Sequence, residues 1–189
     1  MLSAKNVALS AWRNFWNPFG ATSRLKEYAE RRLVGFTREQ MFDVVSNVNE
    51  YPNFIPWCRG ASVFEVSPNI YLAKLQIGFP PIQESYTSTV TTLKPVFVKS
   101  VAEPDNRVFK HLDTTWKFTE GLPNNDKSCV LHFALAFEFR SSLHSTMAHA
   151  FFDLVVQTMV YAFLKRAEEK YGPPSLNHFK KTTVLKKIS

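Results

Sequence analysis

From Cys129 to Arg140 the chain alternates strictly. Cys129, Leu131, Phe133, Leu135, Phe137 and Phe139 fall on one side, and Val130, His132, Ala134, Ala136, Glu138 and Arg140 on the other. A period of two over twelve residues predicts a strand with one heavily apolar face. That face has to be covered, which restricts the chain to folds in which a sheet carries a second layer.

The preceding residues repeat the pattern. Tyr71, Ala73, Leu75, Ile77 and Phe79 alternate against smaller or polar neighbours, as do Leu112, Thr114, Trp116 and Phe118. Turn residues at Ser67-Pro68-Asn69, Phe79-Pro80-Pro81, Lys94-Pro95, Pro104-Asp105-Asn106 and Gly121 to Asn125 cut residues 59–140 into six strands joined as a meander.

An earlier strand is expected over 29–36. Thr37 with Gln40 then forms a capping box that opens a helix over 38–48, with Met41, Val44, Val45 and Val48 on one face. Tyr51-Pro52-Asn53-Phe54-Ile55-Pro56-Trp57 follows as a short helical piece broken by two prolines. After the strands, a long helix runs from about Ser142 to Tyr171 and stops at Gly172-Pro173. Ala148, Phe152, Val155, Met159, Ala162 and Phe163 make its apolar face.

The expected fold is α+β of the helix-grip type: a curved antiparallel sheet wrapped around a long C-terminal helix, enclosing an elongated apolar cavity. Such a cavity suits a lipid or aromatic ligand. Leu75, Ile77, Trp116, Phe133, Leu135 and Phe137 on the sheet, with Phe152, Val155, Met159 and Phe163 on the helix, are the expected ligand-binding wall. Phe54, Ile55 and Trp57, held by Pro52 and Pro56, and the turn Phe79-Pro80-Pro81-Ile82 are the expected cavity lips, open to a membrane. Tyr86, Thr114 and Gln157 are the polar candidates for a ligand's oxygens.

The net charge of +7 lies at the ends. Residues 1–24 hold Lys5, Arg13 and Arg24 and no acid, and 173–189 hold Lys180, Lys181, Lys186 and Lys187 and no acid. The middle is balanced, which argues against a nucleic-acid face. In the first segment Leu9, Trp12, Phe15, Trp16 and Phe19 form an apolar stripe opposite Lys5 and Arg13, the pattern of a mitochondrial transit peptide or a basic arm. Residues 25–172 are expected to be the domain and 173–189 a basic flexible tail. Cys58 and Cys129 belong to no Cys/His cluster and read as buried free thiols. His144 and His149 are five apart, off one helical face, so no metal site is expected. Gly-rich phosphate loops and Ser/His/Asp arrangements are missing from the sequence.

Tyr51-Pro52-Asn53-Phe54-Ile55-Pro56-Trp57-Cys58 closely resembles the signature of the coenzyme Q-binding proteins, a branch of the START or polyketide cyclase-like superfamily. Phe139 to Leu143, Phe151-Phe152, Met159 to Phe163, Arg166-Ala167 and Tyr171-Gly172 fit the same family, over roughly residues 25–172. The resemblance implies a START domain that binds ubiquinone without catalysing a reaction. It implies a peripheral location on the matrix side of the mitochondrial inner membrane, and a chaperone role in respiration and ubiquinone biosynthesis. It supplies no catalytic residue and no catalytic cofactor; ubiquinone is the bound ligand. The partners implied are the inner membrane surface and proteins of quinone biosynthesis or the respiratory chain. The same superfamily leaves open a ribosome-associated regulator and a cyclase-like enzyme acting on an aromatic precursor.

Overall fold

The computed structural model describes residues 24–80, 82–105, 107–140, 148–177 and 182–188. The chain begins with strand β1 (Lys26–Val34), then helix α1 (Arg38–Ser46) and a 3-10 helix (Val48–Asn53). Six strands follow: β2 (Cys58–Ser67), β3 (Ile70–Phe79), β4 (Ile82–Leu93), β5 (Phe97–Ala102), β6 (Phe109–Glu120) and β7 (Cys129–Phe139). A long helix α2 (Ala148–Tyr171) and a last strand β8 (Thr182–Ile188) complete the order. All eight strands lie in one antiparallel sheet, ordered β2-β3-β4-β5-β6-β7-β1-β8.

The alternation in β7 is reproduced residue by residue. Cys129, Leu131, Phe133, Leu135, Phe137 and Phe139 are all buried beneath α2 and α1, and the intervening side chains are not. Six strands fall in the region expected to contain six. The capping box is also present: Gln40 N donates to Thr37 Oγ1 at 3.2 Å, and Thr37 N donates to Gln40 Oε1 at 3.0 Å. Helix α1 ends at Ser46 rather than at Val48, and its last turn is tied down from outside. Tyr51 Oη donates to the Val45 carbonyl at 2.6 Å and Tyr71 Oη to the Ser46 carbonyl at 2.8 Å, using acceptors that a helix end leaves open. At the other end of the domain, Gly172 takes φ 85° and its N–H bonds the Glu168 carbonyl, stopping α2 where a residue with a Cβ would be strained.

The expectation of a flexible tail after residue 172 is corrected in two places. Ser175 N–H bonds the Gly35 carbonyl at 2.9 Å, and the Leu176 backbone passes so close to Gly35 that any Cβ there would collide with it. Thr182–Ile188 then pairs with β1 as an added edge strand. Its β-branched residues suit a strand, while Lys186 and Lys187 pair with Glu27 and Asp153. The charge that suggested a solvated tail thus neutralises acids on the domain. The described β8 side chains are all exposed. Residues 1–23, read as a transit peptide or arm, lie outside the described residues, as does His144.

Candidate functional site

The curvature of the sheet decides where space remains. Along β7 the sheet rests directly on α2, with Phe137 against Phe151 at 5.5 Å and Phe152 at 6.1 Å between ring centroids. Toward β3, β4 and β5 it stands off the helix. Between those strands, β6, the Trp57 segment and the middle of α2 lies a cavity of about 80 Å³, room for a few water molecules. A substituted aromatic ring needs more than this, so occupancy requires the walls to move. Met159 is the wall best able to do so, because its unbranched side chain repacks readily.

The structure brings together about half of the expected wall. Leu75 and Ile77 of β3, Trp116 of β6, and Met159 and Phe163 of α2 line the cavity. Phe133, Leu135, Phe137, Phe152 and Val155 do not. They are core, buried where sheet and helix touch. Phe133 stands behind the cavity wall, with its ring 4.5 Å from that of Trp116. Periodicity assigns a side chain to the inner face, but only the local gap between the layers decides whether it meets a cavity or a neighbour.

The expected lips need a larger correction. Ile55 and Trp57 are buried and line the cavity itself, so they are walls and not an exposed rim. Phe54 is half-buried, edge-on to Phe163 at 5.1 Å and to Tyr51 at 5.7 Å, with the Arg166 guanidinium over its ring. Phe79 packs edge-on against Phe151 at 5.5 Å, and Trp57 meets Phe151 at 6.3 Å. These contacts tie the β3–β4 turn to the start of α2. Pro80 is exposed at the tip, while Pro81 and the Ile82 side chain lie outside the described residues. The two prolines of the 51–58 run therefore fix aromatic groups inward, closing the end of the cavity.

The polar candidates divide as well. Tyr86 of β4 and Thr114 of β6 line the cavity, whereas Gln157 is on the exposed face of α2. Sequence reasoning missed Val48, Tyr51, Cys58, Ala73, Val90, Val98 and Ser100, which also line it. Ala73 was legible from its place between Tyr71 and Leu75. Ser100 needed the pairing register, which sets it opposite both Val90 and Thr114.

Of the lining groups only Tyr51, Tyr86 and the Cys58 thiol can titrate. Burial raises all three above their ordinary values, so each stays protonated and neutral near pH 7. Tyr51 Oη is committed to a main-chain carbonyl, while the Tyr86 ring edges onto Phe109 at 5.2 Å. Cys58 Sγ makes a weak contact with the Gly60 carbonyl at 3.6 Å. An apolar chamber with neutral hydroxyls is suited to holding an uncharged ligand that carries a few acceptor atoms. Both cysteines are buried and unbridged, as expected. Among the described residues there is no cluster of metal-ligating side chains, and no helix is long and apolar enough to cross a membrane.

Residues 34–164 match the protein family described as polyketide cyclase/dehydrase and lipid transport. Over 150 residues the chain is 41% identical to the mitochondrial coenzyme Q-binding protein COQ10 homolog B of Xenopus laevis, covering 79% of this chain and 61% of that protein. The chain thus spans about three-fifths of that relative's length. It is 33% identical over 144 residues to the mitochondrial coenzyme Q-binding protein COQ10 of Dictyostelium discoideum, covering 75% and 68% of the two chains. It is 32% identical over 148 residues to the ribosome association toxin RatA of Vibrio cholerae, covering 78% and 99%. Among solved structures, an aromatase/cyclase from a Streptomyces species superposes with a TM-score of 0.62 at 13% identity, over 77% of this chain and 95% of that one. That likeness is one of fold.

Proposed function

The chain belongs to the polyketide cyclase/dehydrase and lipid transport family, in its coenzyme Q-binding branch, and from that premise we propose that it is a non-catalytic ubiquinone carrier. The observation that carries this reading is the cavity between β3–β6 and α2, apolar on most of its wall and lined, among the described residues, by no carboxylate, imidazole, amine or guanidinium. Such a lining offers an uncharged quinone ring apolar contact without a charged group to desolvate. The ring and the first isoprene units enter it from the membrane. Each buried CH2 is worth ~0.8 kcal/mol against water, so the transfer from lipid is near balance and reversible, which suits a carrier. Most of a long isoprenoid tail remains outside.

The rest of the proposal follows the family. Residues 25–172 are the quinone-holding domain, and 1–24 are a mitochondrial transit peptide. The mature protein sits peripherally on the matrix face of the inner membrane, where it hands quinone to proteins of quinone biosynthesis or the respiratory chain. Higher identity to the coenzyme Q-binding relatives than to the ribosome association toxin supports this reading over a ribosomal one, as does the balanced charge of the middle of the chain.

Trp57 and Trp116 both line the cavity and report on it. Titrating the protein with ubiquinone in detergent micelles should quench their emission saturably, with one equivalent bound. A linear, non-saturating decrease shared by free tryptophan would count against the carrier reading.

A further inference from the structure

Inward-facing tyrosines of this fold have partners, with one exception. Tyr28 donates to Glu30, Tyr51 to the Val45 carbonyl and Tyr71 to the Ser46 carbonyl. The Tyr86 hydroxyl, inside the cavity lining, has no hydrogen-bond partner among the described residues. Three more hydroxyls on the same face have no partner among the described residues, two of them in the cavity lining. Ser88 is wholly buried, and its Oγ has no partner at all. Ser100 and Thr114 line the cavity and stand directly opposite each other on β5 and β6, and their hydroxyls bond no described residue.

Register places these groups in a diagonal row. Tyr86 and Ser88 are successive inward residues of β4. Ser100 lies opposite Val90, the next inward residue, and Thr114 lies one strand further on. Ser88 Oγ has given up water without replacement, which is unfavourable in the empty protein, and the hydroxyls of Tyr86, Ser100 and Thr114 open onto the cavity without a protein partner among the described residues. Hydrocarbon ligands leave that deficit in place. A ring bearing several acceptor oxygens relieves it, since hydroxyls are donors and a quinone's carbonyl and ether oxygens can only accept.

We propose that Tyr86, Ser100 and Thr114, with Ser88 buried beside them in the same row, form the subsite for the oxygens of the quinone ring, so that the ring enters first and lies against β4–β6. The apolar wall opposite, Val48, Ile55 and Met159, then receives the first isoprene units. The Tyr86 phenol, held protonated by burial, is the strongest donor of the row. This rests on the ubiquinone reading of the cavity and adds the orientation and the chemical basis of selection.

The test uses the full chain with Tyr86→Phe, Ser88→Ala and Thr114→Val, and with Thr114→Ser as the conservative control. Two quantities are read: the dissociation constant for ubiquinone with a two-isoprene tail, and the thermal midpoint of the ligand-free protein. Each hydroxyl removed should weaken binding roughly three- to tenfold, while the midpoint stays level or rises, and Thr114→Ser should bind as the native chain does. Unchanged affinity in the variants, with the native protein binding, would overturn the subsite and leave the carrier reading intact. Weaker binding accompanied by a lowered midpoint would show the hydroxyls to be structural and overturn it equally. Failure of the native protein to bind would remove both.

Discussion

The ring of Phe163 on α2 lies 4.6 Å from that of Trp116 on β6, so helix and sheet meet through a contact that is also the end wall of the cavity. Phe163 is buried and touches Tyr51 and Phe54 edge-on as well. Phe163→Ala should cost about 3–5 kcal/mol in urea unfolding. Because the void it leaves adjoins the cavity, ubiquinone should restore more stability to this variant than to the native chain. A variant destabilised to that extent but indifferent to ubiquinone would separate Phe163 from the ligand space.

Met159 is only partly buried yet lines the cavity, so it can be enlarged with little strain on the core. Met159→Trp should fill the space, leave the thermal midpoint within a few degrees, and reduce ubiquinone affinity by about tenfold or more. Native affinity in a folded Met159→Trp protein would place the quinone elsewhere.

Glu30 is buried at 2% exposure, accepts from Tyr28 Oη at 2.6 Å and pairs with Arg32 at 3.2 Å. Removing only the cation strands the carboxylate in the core. Arg32→Leu should therefore destabilise by about 3–5 kcal/mol, and the double change with Glu30→Leu should recover most of that loss. A double-variant loss equal to the sum of the two single losses in urea unfolding would show the pair to be uncoupled.

Asp43 joins α1 to the end of α2. Hydrogen bonds from Lys170 and then Tyr171 hold its carboxyl below the usual carboxylate range, with Lys94 adding to the effect. A carboxylate with a depressed folded pKa contributes stability at pH values above its unfolded pKa of ~3.9, and loses it as pH falls through the folded value. Asp43→Asn should therefore cost under about 1 kcal/mol near neutral pH, since the pair is half-exposed and screened. The difference from the native chain should vanish once the pH has fallen below the lowered folded value of Asp43. A gap that persists at low pH would mean that the charge is not its source.

The two thiols are an internal comparison. Cys58 lines the cavity, while Cys129 is walled into the core and burial pushes it up to about 12. Alkylation near pH 8 should be slow at both in the folded protein. Saturating ubiquinone should slow it further at Cys58 and leave Cys129 unchanged, read by peptide mass spectrometry. Protection of Cys129 alone would contradict the location of the site.

The strands and helices were legible because each carries its own period. β7 announces its buried face at every second residue, and Thr37 with Gln40 marks the start of α1. The division of inward residues into wall and core was not legible, since Phe137 and Leu75 look alike in sequence. The difference is that the sheet touches α2 at β7 and stands away at β3. Trp57 and Ile55 misled for a related reason. Flanking prolines signal a rigid segment, but not whether its apolar groups face outward or inward. β8 was hidden by its lysines, whose partners Glu27 and Asp153 are distant in sequence. Ser100 and Ser88 carry no local signal, and only the register across β4–β6 places them in a row with Thr114.

The central claim is that the space between β3–β6 and α2 holds ubiquinone. The most direct measurement is lipid extraction and mass spectrometry on the full chain purified from cells that make ubiquinone, alongside Met159→Trp prepared identically. Near-stoichiometric ubiquinone with the native protein, and little with the folded variant, is the result expected. No ubiquinone with either, or the same amount with both, would contradict it.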